Sequence, residues 1–212
     1  ANGLRELMAD AKLPFFVASK GSTDPAQAKP SFAITDYWPY ASAPTAAEDA
    51  TAREAYRRLG RGHLIQPDVL IWRPAMKPFA HVQDGQVITD KYEVRHLIAC
   101  ISGKATIRSD RSQSSRYEGS TISRWRRARA PYFAVVTAEP DPSRLGSLAW
   151  GLGEIDAVYH IDIASLFAAM HRTEAEIGGT SAATRELRAL IEHARLRDLS
   201  LLFDDIFGEF IS

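Results

Sequence analysis

The sequence predicts an α/β fold: a mixed central β-sheet with helices packed on both faces. Two observations predict it. Short apolar stretches, bounded by prolines, glycines or charged residues, alternate with longer stretches in which apolar residues recur at helical spacing. The chain also has 212 residues, 45% of them hydrophobic, which is enough to bury one sizeable core.

The beginning of the chain is predicted to consist of helix and loop. Residues 2–11 favour a short helix, and residues 21–30 favour a loop because they are rich in Gly, Pro, Ser and Ala. Residues 45–59 are strong helix formers, and glycines at positions 60 and 62 end that helix. Its apolar face would carry Ala52, Ala55, Tyr56 and Leu59.

Four strands are predicted after this region, over residues 68–72, 96–107, 132–138 and 157–163. The first is short and apolar, and Pro67 and Pro74 bound it. The second is longer, and its residues 98, 100, 102 and 104 share one face of the sheet.

Helices are predicted over residues 112–129, over residues 142–153, and from about residue 181 onward. Glu139 and Asp141 precede the second of these helices and are predicted to cap it. His160 is predicted to be a packed strand residue. This order of elements supports one domain over residues 1–212. It comprises an N-terminal helical and loop part (1–60), a core (61–165) and C-terminal helices (166–212).

Composition narrows the function classes. The formal net charge is zero, so the whole chain does not indicate a polyanion partner. A single cysteine excludes an internal disulfide and favours a reducing, cytoplasmic setting. No apolar run reaches the roughly 18 residues that a membrane span needs, and no signal peptide is visible. The first residue is Ala1, so we expect a chain that was processed or trimmed from something longer.

Four residues form a candidate catalytic set. Asp68 opens a buried strand, Ser102 and Lys104 share a face of the longer strand, and Glu118 lies on the helix after it. Phosphodiester hydrolysis needs a hard divalent cation held by oxygen ligands, and a positive charge beside the attacking water. Asp68 and Glu118 can supply the carboxylates, and Lys104 can supply the charge.

Each of these residues also has an ordinary structural interpretation. An aspartate at the start of a strand is usually a turn or cap residue, and a glutamate on a helix usually faces solvent. A lysine within an apolar strand either extends its ammonium to solvent at an edge or has a functional partner, because burying an unpaired ammonium is costly. The four residues together favour a catalytic site more strongly than any one of them does alone.

The segment from Lys104 to Arg129 is strongly basic, with eight basic residues against two acidic ones. A basic segment beside a candidate metal site suits a phosphate polyanion, although a solvated arginine-rich helix would look the same. Within it, Arg108, Asp110 and Arg111 form an Arg-x-Asp-Arg cluster. Arginine can bind guanine O6 and N7, and aspartate can accept from cytosine N4, so this cluster could read G·C pairs. A local ion-pair network is the alternative.

Residues 101–118 and 130–160 closely resemble the NgoMIV-type type II restriction endonucleases, the CCGG-cutting branch of the PD-(D/E)xK nucleases. The resemblance is strong over about residues 64–163. It combines Pro67-Asp68, the Ser-x-Lys of Ser102 and Lys104, the Arg-x-Asp-Arg cluster and the displaced glutamate Glu118 in one order.

The resemblance implies a magnesium-dependent enzyme that cuts double-stranded DNA at a palindrome with a CCGG core and leaves four-base 5′ overhangs. Asp68 and Glu118 would hold Mg²⁺, with Ser102 in place of the usual acid and Lys104 beside the attacking water. Arg108, Asp110 and Arg111 would be the major-groove readers of the core. The implied assembly is a homodimer or homotetramer.

Three positions depart from the family pattern. Gly103 stands where the family often has cysteine, and Ala105 where it often has tryptophan. The family also has a glutamate on an N-terminal helix near the metals, and Glu6 is the candidate here. Ala1, Glu6 and Gly103 motivate a second hypothesis, a decayed relative that binds its site without cutting. A third is that the arginine-rich segment is a protein interface.

Overall fold

The computed structural model describes residues 6, 15–19, 37, 65, 67–126, 129–151 and 153–211. The predicted loop 21–30 and the predicted helix 45–59 lie outside these residues. The described strands are β1 (Phe16–Ser19), β2 (Val69–Gln83), β3 (Gln86–Lys104), β4 (Tyr132–Thr137), β5 (Ala157–His160) and β6 (Leu196–Asp198). The described α-helices are α1 (Ser109–Trp125), α2 (Pro142–Ala149), α3 (Ile163–Ile177), α4 (Ala182–Glu192) and α5 (Leu202–Ile211), with a 3₁₀ turn at Leu199–Leu201.

The six strands form one sheet in the order β1-β2-β3-β4-β5-β6. β1 runs antiparallel to β2, whereas β3, β4, β5 and β6 are parallel to one another. The α/β class predicted from the sequence, with a mixed sheet flanked by helices, is therefore confirmed. The chain divides into two compact units, residues 1–98 with 125–131 and residues 99–124 with 132–212.

In the first unit, β2 and the first part of β3 form a long hairpin. Its two-residue turn, Asp84-Gly85, has positive φ at both positions (50° and 76°), as the favoured tight hairpin turn requires. The aromatic ring of Trp72 stacks on Phe16 of β1 at 4.5 Å between centroids. The Arg95 guanidinium also lies 5.1 Å from the centre of the Trp72 ring.

The prediction that Pro74 bounds the first strand was wrong, since β2 continues to Gln83. Proline lacks the N–H that a sheet ladder needs, so it is tolerated where that N–H would point away from the neighbouring strand. Pro74 and Pro78 are four residues apart, so their missing N–H groups fall on the same edge of β2, and both residues are exposed.

In the second unit, the carboxyl ends of four parallel strands are in register. Lys104 pairs with Thr137, Thr137 with His160, and His160 with Asp198. One face of this sheet is covered by α1, where Gly119 approaches Phe133 of β4. The other face is covered by α5, where the Tyr159 hydroxyl donates to Asp205.

The remaining differences from the predicted elements lie at boundaries and in short segments. α1 ends at Trp125 rather than at residue 129, and α2 ends at Ala149 rather than at residue 153. β3 begins at Gln86 rather than at residue 96, and α3 falls largely within the predicted C-terminal helices. β1 and β6 were not predicted, and β6 interrupts the helical pattern expected after Ser181. Ser181 itself is confirmed as a helix start, because its hydroxyl accepts from the Thr184 amide. Within the described ranges, no helix is long and apolar enough to cross a membrane.

Candidate active site

The candidate site contains an ion pair between β3 and α1. Lys104 is the last residue of β3, and its Nζ lies 3.6 Å from Oε1 of Glu118 on the helix that follows. The two side chains are only 17% and 19% exposed. Of the two alternatives left open for Lys104, extension to solvent or a partner, the structure shows a partner for its ammonium, the carboxylate of Glu118.

The face of β3 that points to Glu118 also carries Ser102. Residues 100, 102 and 104 alternate with 101 and 103, so their side chains share one face of the strand. Burial raises the pKa of the Cys100 thiol, and the negative charge of Glu118 raises it further. Glu118 thus acts on residues 100 and 104, and Ser102 lies between them on the same face.

Three buried side-chain oxygen atoms of β3 and α1 have no hydrogen-bond partner in the structure. They are Oε2 of Glu118, Oγ of Ser102 and Oγ of Ser115. The other Glu118 oxygen, Oε1, accepts from the Ser114 hydroxyl at 3.4 Å and faces Lys104. A carboxylate that leaves one buried oxygen unsatisfied fits a hard-cation ligand, because Mg²⁺ is bound through oxygen and such an atom is costly without a partner.

The position of α1 follows from the small residues along its buried face. Ser112, Ser115 and Gly119 recur at helical spacing and are buried, and Ile122 continues the same buried face. A Cβ at position 119 would overlap the carbonyl oxygen of Glu154, so only glycine allows the helix to lie this close. The Arg116 guanidinium also donates to the carbonyl oxygen of Ser147 at the end of α2. Glu118 is therefore fixed by contacts on both sides of it in the sequence.

Asp68 lies one residue before β2 and is partly buried. It belongs to the first unit, whereas Ser102, Lys104 and Glu118 belong to the second. Its partnership with Glu118 stays a prediction. Glu6 is helical and exposed, and the residues around it lie outside the described ranges. The described part of the chain holds no group of three or more His, Cys, Asp or Glu side chains that could bind a metal by themselves.

The Arg-x-Asp-Arg cluster lies at the start of α1. Arg108 precedes the helix, and its carbonyl oxygen accepts from the Ser112 amide at 2.9 Å. Asp110 and Arg111 lie in the first turn. The side chains of Arg108 and Asp110 are exposed, which leaves them accessible to a partner. An acid in the first turn of a helix is also favoured by the helix dipole.

Glu139 has a contact that the sequence analysis missed. The prediction that Asp141 caps α2 is confirmed, because its Oδ1 accepts from the Ser143 amide at 2.9 Å. Glu139 instead is 1% exposed, and its Oε2 accepts from the Ile107 amide, 32 residues earlier, at 2.6 Å. The sequence signal for Glu139 was an acidic residue between an apolar strand and a proline, and that local pattern predicts a helix cap rather than a long-range contact.

The chain matches known restriction enzymes. A family model described as the NgoMIV restriction enzyme matches residues 28–207. The type II restriction enzyme NgoMIV of Neisseria gonorrhoeae is 37% identical over 146 residues, which cover 63% of this chain and 51% of that protein. The chain thus spans about half the length of the curated relative it matches. The matches place it among the restriction enzymes.

The chain belongs to the NgoMIV restriction enzyme family, so the resemblance noted from the sequence is confirmed. Among solved structures, it is similar to a restriction endonuclease PspGI–substrate DNA complex, with a TM-score of 0.32 and 20% identity. That similarity covers 52% of this chain and 39% of the other.

Proposed function

We propose that this protein is a magnesium-dependent type II restriction endonuclease. It hydrolyses double-stranded DNA at a palindrome with a CCGG core and leaves 5′ overhangs. The observation that carries this proposal is the contact between Lys104 and Glu118, in which the second oxygen of Glu118 is buried without a partner. The proposal also draws on family membership and on the name of the relative, a type II restriction enzyme.

The residues of the site have distinct roles in this proposal. Glu118 and Asp68 hold Mg²⁺, which when bound would polarise the scissile phosphate and lower the pKa of a water. Lys104 carries a positive charge next to Glu118, where it orients the attacking water and stabilises negative charge that develops on phosphate oxygens. Ser102 occupies the strand position of the usual acid and leaves room for the carboxylate supplied from α1.

Arg108, Asp110 and Arg111 read the G·C pairs in this proposal. Their position at the start of α1 suits the task, because the same helix carries Glu118 eight residues after Asp110. Base contacts made by the first turn would therefore place the scissile phosphate relative to the metal ligand through one rigid element. Arginine bound to guanine O6 and N7 and aspartate bound to cytosine N4 are geometrically matched pairs.

The remaining parts of the proposal concern assembly and location. A palindrome has twofold symmetry and must be cut once on each strand, so two copies related by a twofold axis supply one site per strand. We therefore propose a homodimer or a homotetramer. A cytoplasmic location is proposed from the single free cysteine, which suits a reducing compartment.

The test is cleavage of a short duplex that contains a CCGG palindrome, with variants Glu118→Gln, Lys104→Ala and Asp68→Asn. Each should slow cleavage in Mg²⁺ more than about a hundredfold, because each removes a ligand or a charge that acts on the reacting phosphate. Binding of the same duplex in EDTA should be largely kept. Titration with Mn²⁺ by calorimetry should show weaker metal binding for Glu118→Gln and Asp68→Asn.

Glu174→Gln is a matched control for Glu118→Gln. Glu174 also makes an ion pair, to Arg188 at 3.3 Å, and its Oε1 is also buried without a hydrogen-bond partner. It lies on α3, outside the candidate site. Cleavage by this variant should stay near the wild-type rate. An equal loss of cleavage rate in both variants, or a cleavage rate unaffected by Glu118→Gln, would count against the proposal. Tight DNA binding with no cleavage by the wild type would favour the decayed relative.

A further inference from the structure

We infer that Glu139 is a positioning residue for base recognition, which holds the loop that leads into the Arg-x-Asp-Arg cluster. This inference rests on the proposed function and adds a residue to its specificity. Glu139 lies just after β4, far in sequence from the cluster. Its side chain is only 1% exposed, so it does not contact DNA itself. Its effect would act through the backbone that it holds.

The contacts of Glu139 join two element starts. Its Oε2 accepts from the Ile107 amide at 2.6 Å, and Ile107 is the residue before Arg108. Its Oε1 accepts from the Asp141 amide at 3.1 Å, and Asp141 is the N-cap of α2. One buried side chain therefore ties the entry of α1 to the entry of α2.

Further bonds fix Glu139 and the loop it contacts. The Glu139 amide donates to Oγ1 of Thr137 at 3.1 Å. The Ala138 amide donates to the carbonyl oxygen of Ala105 at 3.3 Å, which anchors the same loop two residues before Ile107. The Ile107 side chain is buried, at 1% exposure. The loop between β3 and α1 is thus held by backbone, side-chain and apolar contacts.

The consequence for recognition comes from the short distance in sequence between Ile107 and Arg108. A base-reading pair is useful only when both partners keep their geometry, since each well-formed pair discriminates by a factor of about ten or more. Without Glu139 the Ile107 amide would be a buried donor with no acceptor, and the loop would shift to satisfy it. The start of α1 would then be free to vary, and correct and incorrect sites would be bound more equally.

The experiment compares the wild type with Glu139→Gln and Glu139→Ala. The glutamine variant retains one acceptor oxygen and keeps the inference testable if the alanine variant does not fold. The readout is the ratio of the dissociation constants, in EDTA, for a CCGG duplex and for a duplex with one G·C pair of the core replaced by A·T. We expect this ratio to fall about tenfold or more in Glu139→Ala, and by a smaller factor in Glu139→Gln, whose single oxygen can accept from only one of the two amides. Hydrogen exchange at the Ile107 amide should become faster in both variants.

Asp156→Asn is the matched control. Its Oδ2 accepts from the Phe133 amide at 2.7 Å, so it too is a carboxyl group that holds a distant backbone N–H. It should lower stability without changing the discrimination ratio. If the wild type prefers CCGG and both Glu139 variants have the same ratio as the wild type, this inference alone is overturned. A wild type with no preference for CCGG would overturn the proposed function and this inference with it.

Discussion

At the scale of single residues, the site depends on polar groups that are buried close to one another. Lys104 and Glu118 are each less than one-fifth exposed, and the structure brings them within 3.6 Å. Removing one partner of such a pair leaves a poorly solvated charge, which costs more than the pair itself contributes. The two unpartnered serine hydroxyls, at Ser102 and Ser115, add to the same polar interior between β3 and α1. A buried polar interior of this kind is more characteristic of a reaction site than of a structural core.

The thiol of Cys100 should be unreactive in the folded protein. It is fully buried, and both burial and the charge of Glu118 raise its pKa, so very little thiolate forms at pH 8. With Ellman's reagent we expect no measurable reaction in native buffer. In about 6 M guanidinium, which unfolds most domains, we expect one reactive thiol per chain because the chain has one cysteine. Rapid labelling of the native protein would mean that β3 is not buried beneath α1 as the structure has it.

At the scale of elements, the local sequence pattern predicts the strands and helices that carry the site but not every element around them. Alternation along β3 correctly places Ser102 and Lys104 on one face, and Glu118 falls on the following helix as expected. β6 was missed because three residues are too short for a periodic pattern. The contact of Glu139 was missed because its partner amide lies 32 residues away, and long-range hydrogen bonds leave no local pattern.

Gly119→Ala should impair the site through the helix that carries Glu118. The added Cβ would overlap the backbone oxygen of Glu154, and backbone cannot move aside as a side chain can. We expect a stability loss of about 1–3 kcal/mol, typical of overpacking, and at least about a tenfold slower cleavage because Glu118 shifts from Lys104. Thermal unfolding and single-turnover cleavage measure the two effects.

Gly146→Ala is the control for that change. It is a buried glycine of the neighbouring helix α2, and its added Cβ would meet the carboxyl end of the Glu186 side chain, which can rotate away. This variant should cleave at nearly the wild-type rate. If both variants cleave equally well, the close approach of α1 to Glu154 does not set the position of Glu118.

The β2–β3 hairpin should lose stability in acid through His96. Burial lowers the pKa of His96, and the positive charges of Lys77 and Arg73 lower it further from its ordinary value of 6.5. The imidazole therefore binds a proton more readily in the unfolded state than in the folded state. As a result, the free energy of unfolding is highest above pH 6.5 and decreases as the pH falls below it. Urea unfolding of wild type and His96→Gln between pH 7.5 and 5 should show a flatter pH dependence for the variant. Parallel curves for the two proteins would contradict this.

At the scale of the whole molecule, the sequence predicts the class of fold and the family, whereas the predicted partnership of Asp68 with Glu118 is not set by any local pattern. Ser102, Lys104 and Glu118 lie in one unit, and Asp68 lies in the other. Local patterns and the family motif name Asp68, but its distance from Glu118 depends on packing between distant parts of the chain. The interpretation of residues 1–212 as a single domain stays a prediction for the same reason.

The central claim is that this chain cuts DNA in a metal-dependent, site-specific manner, and digestion of a plasmid of known sequence tests it most directly. The plasmid is incubated with the wild type in Mg²⁺, with the wild type in EDTA, and with Glu118→Gln in Mg²⁺. We expect discrete fragments only in the first reaction, with ends that map to CCGG-containing sites and carry 5′ overhangs. Cutting that survives EDTA or Glu118→Gln, or a smear with no defined ends, would contradict the claim.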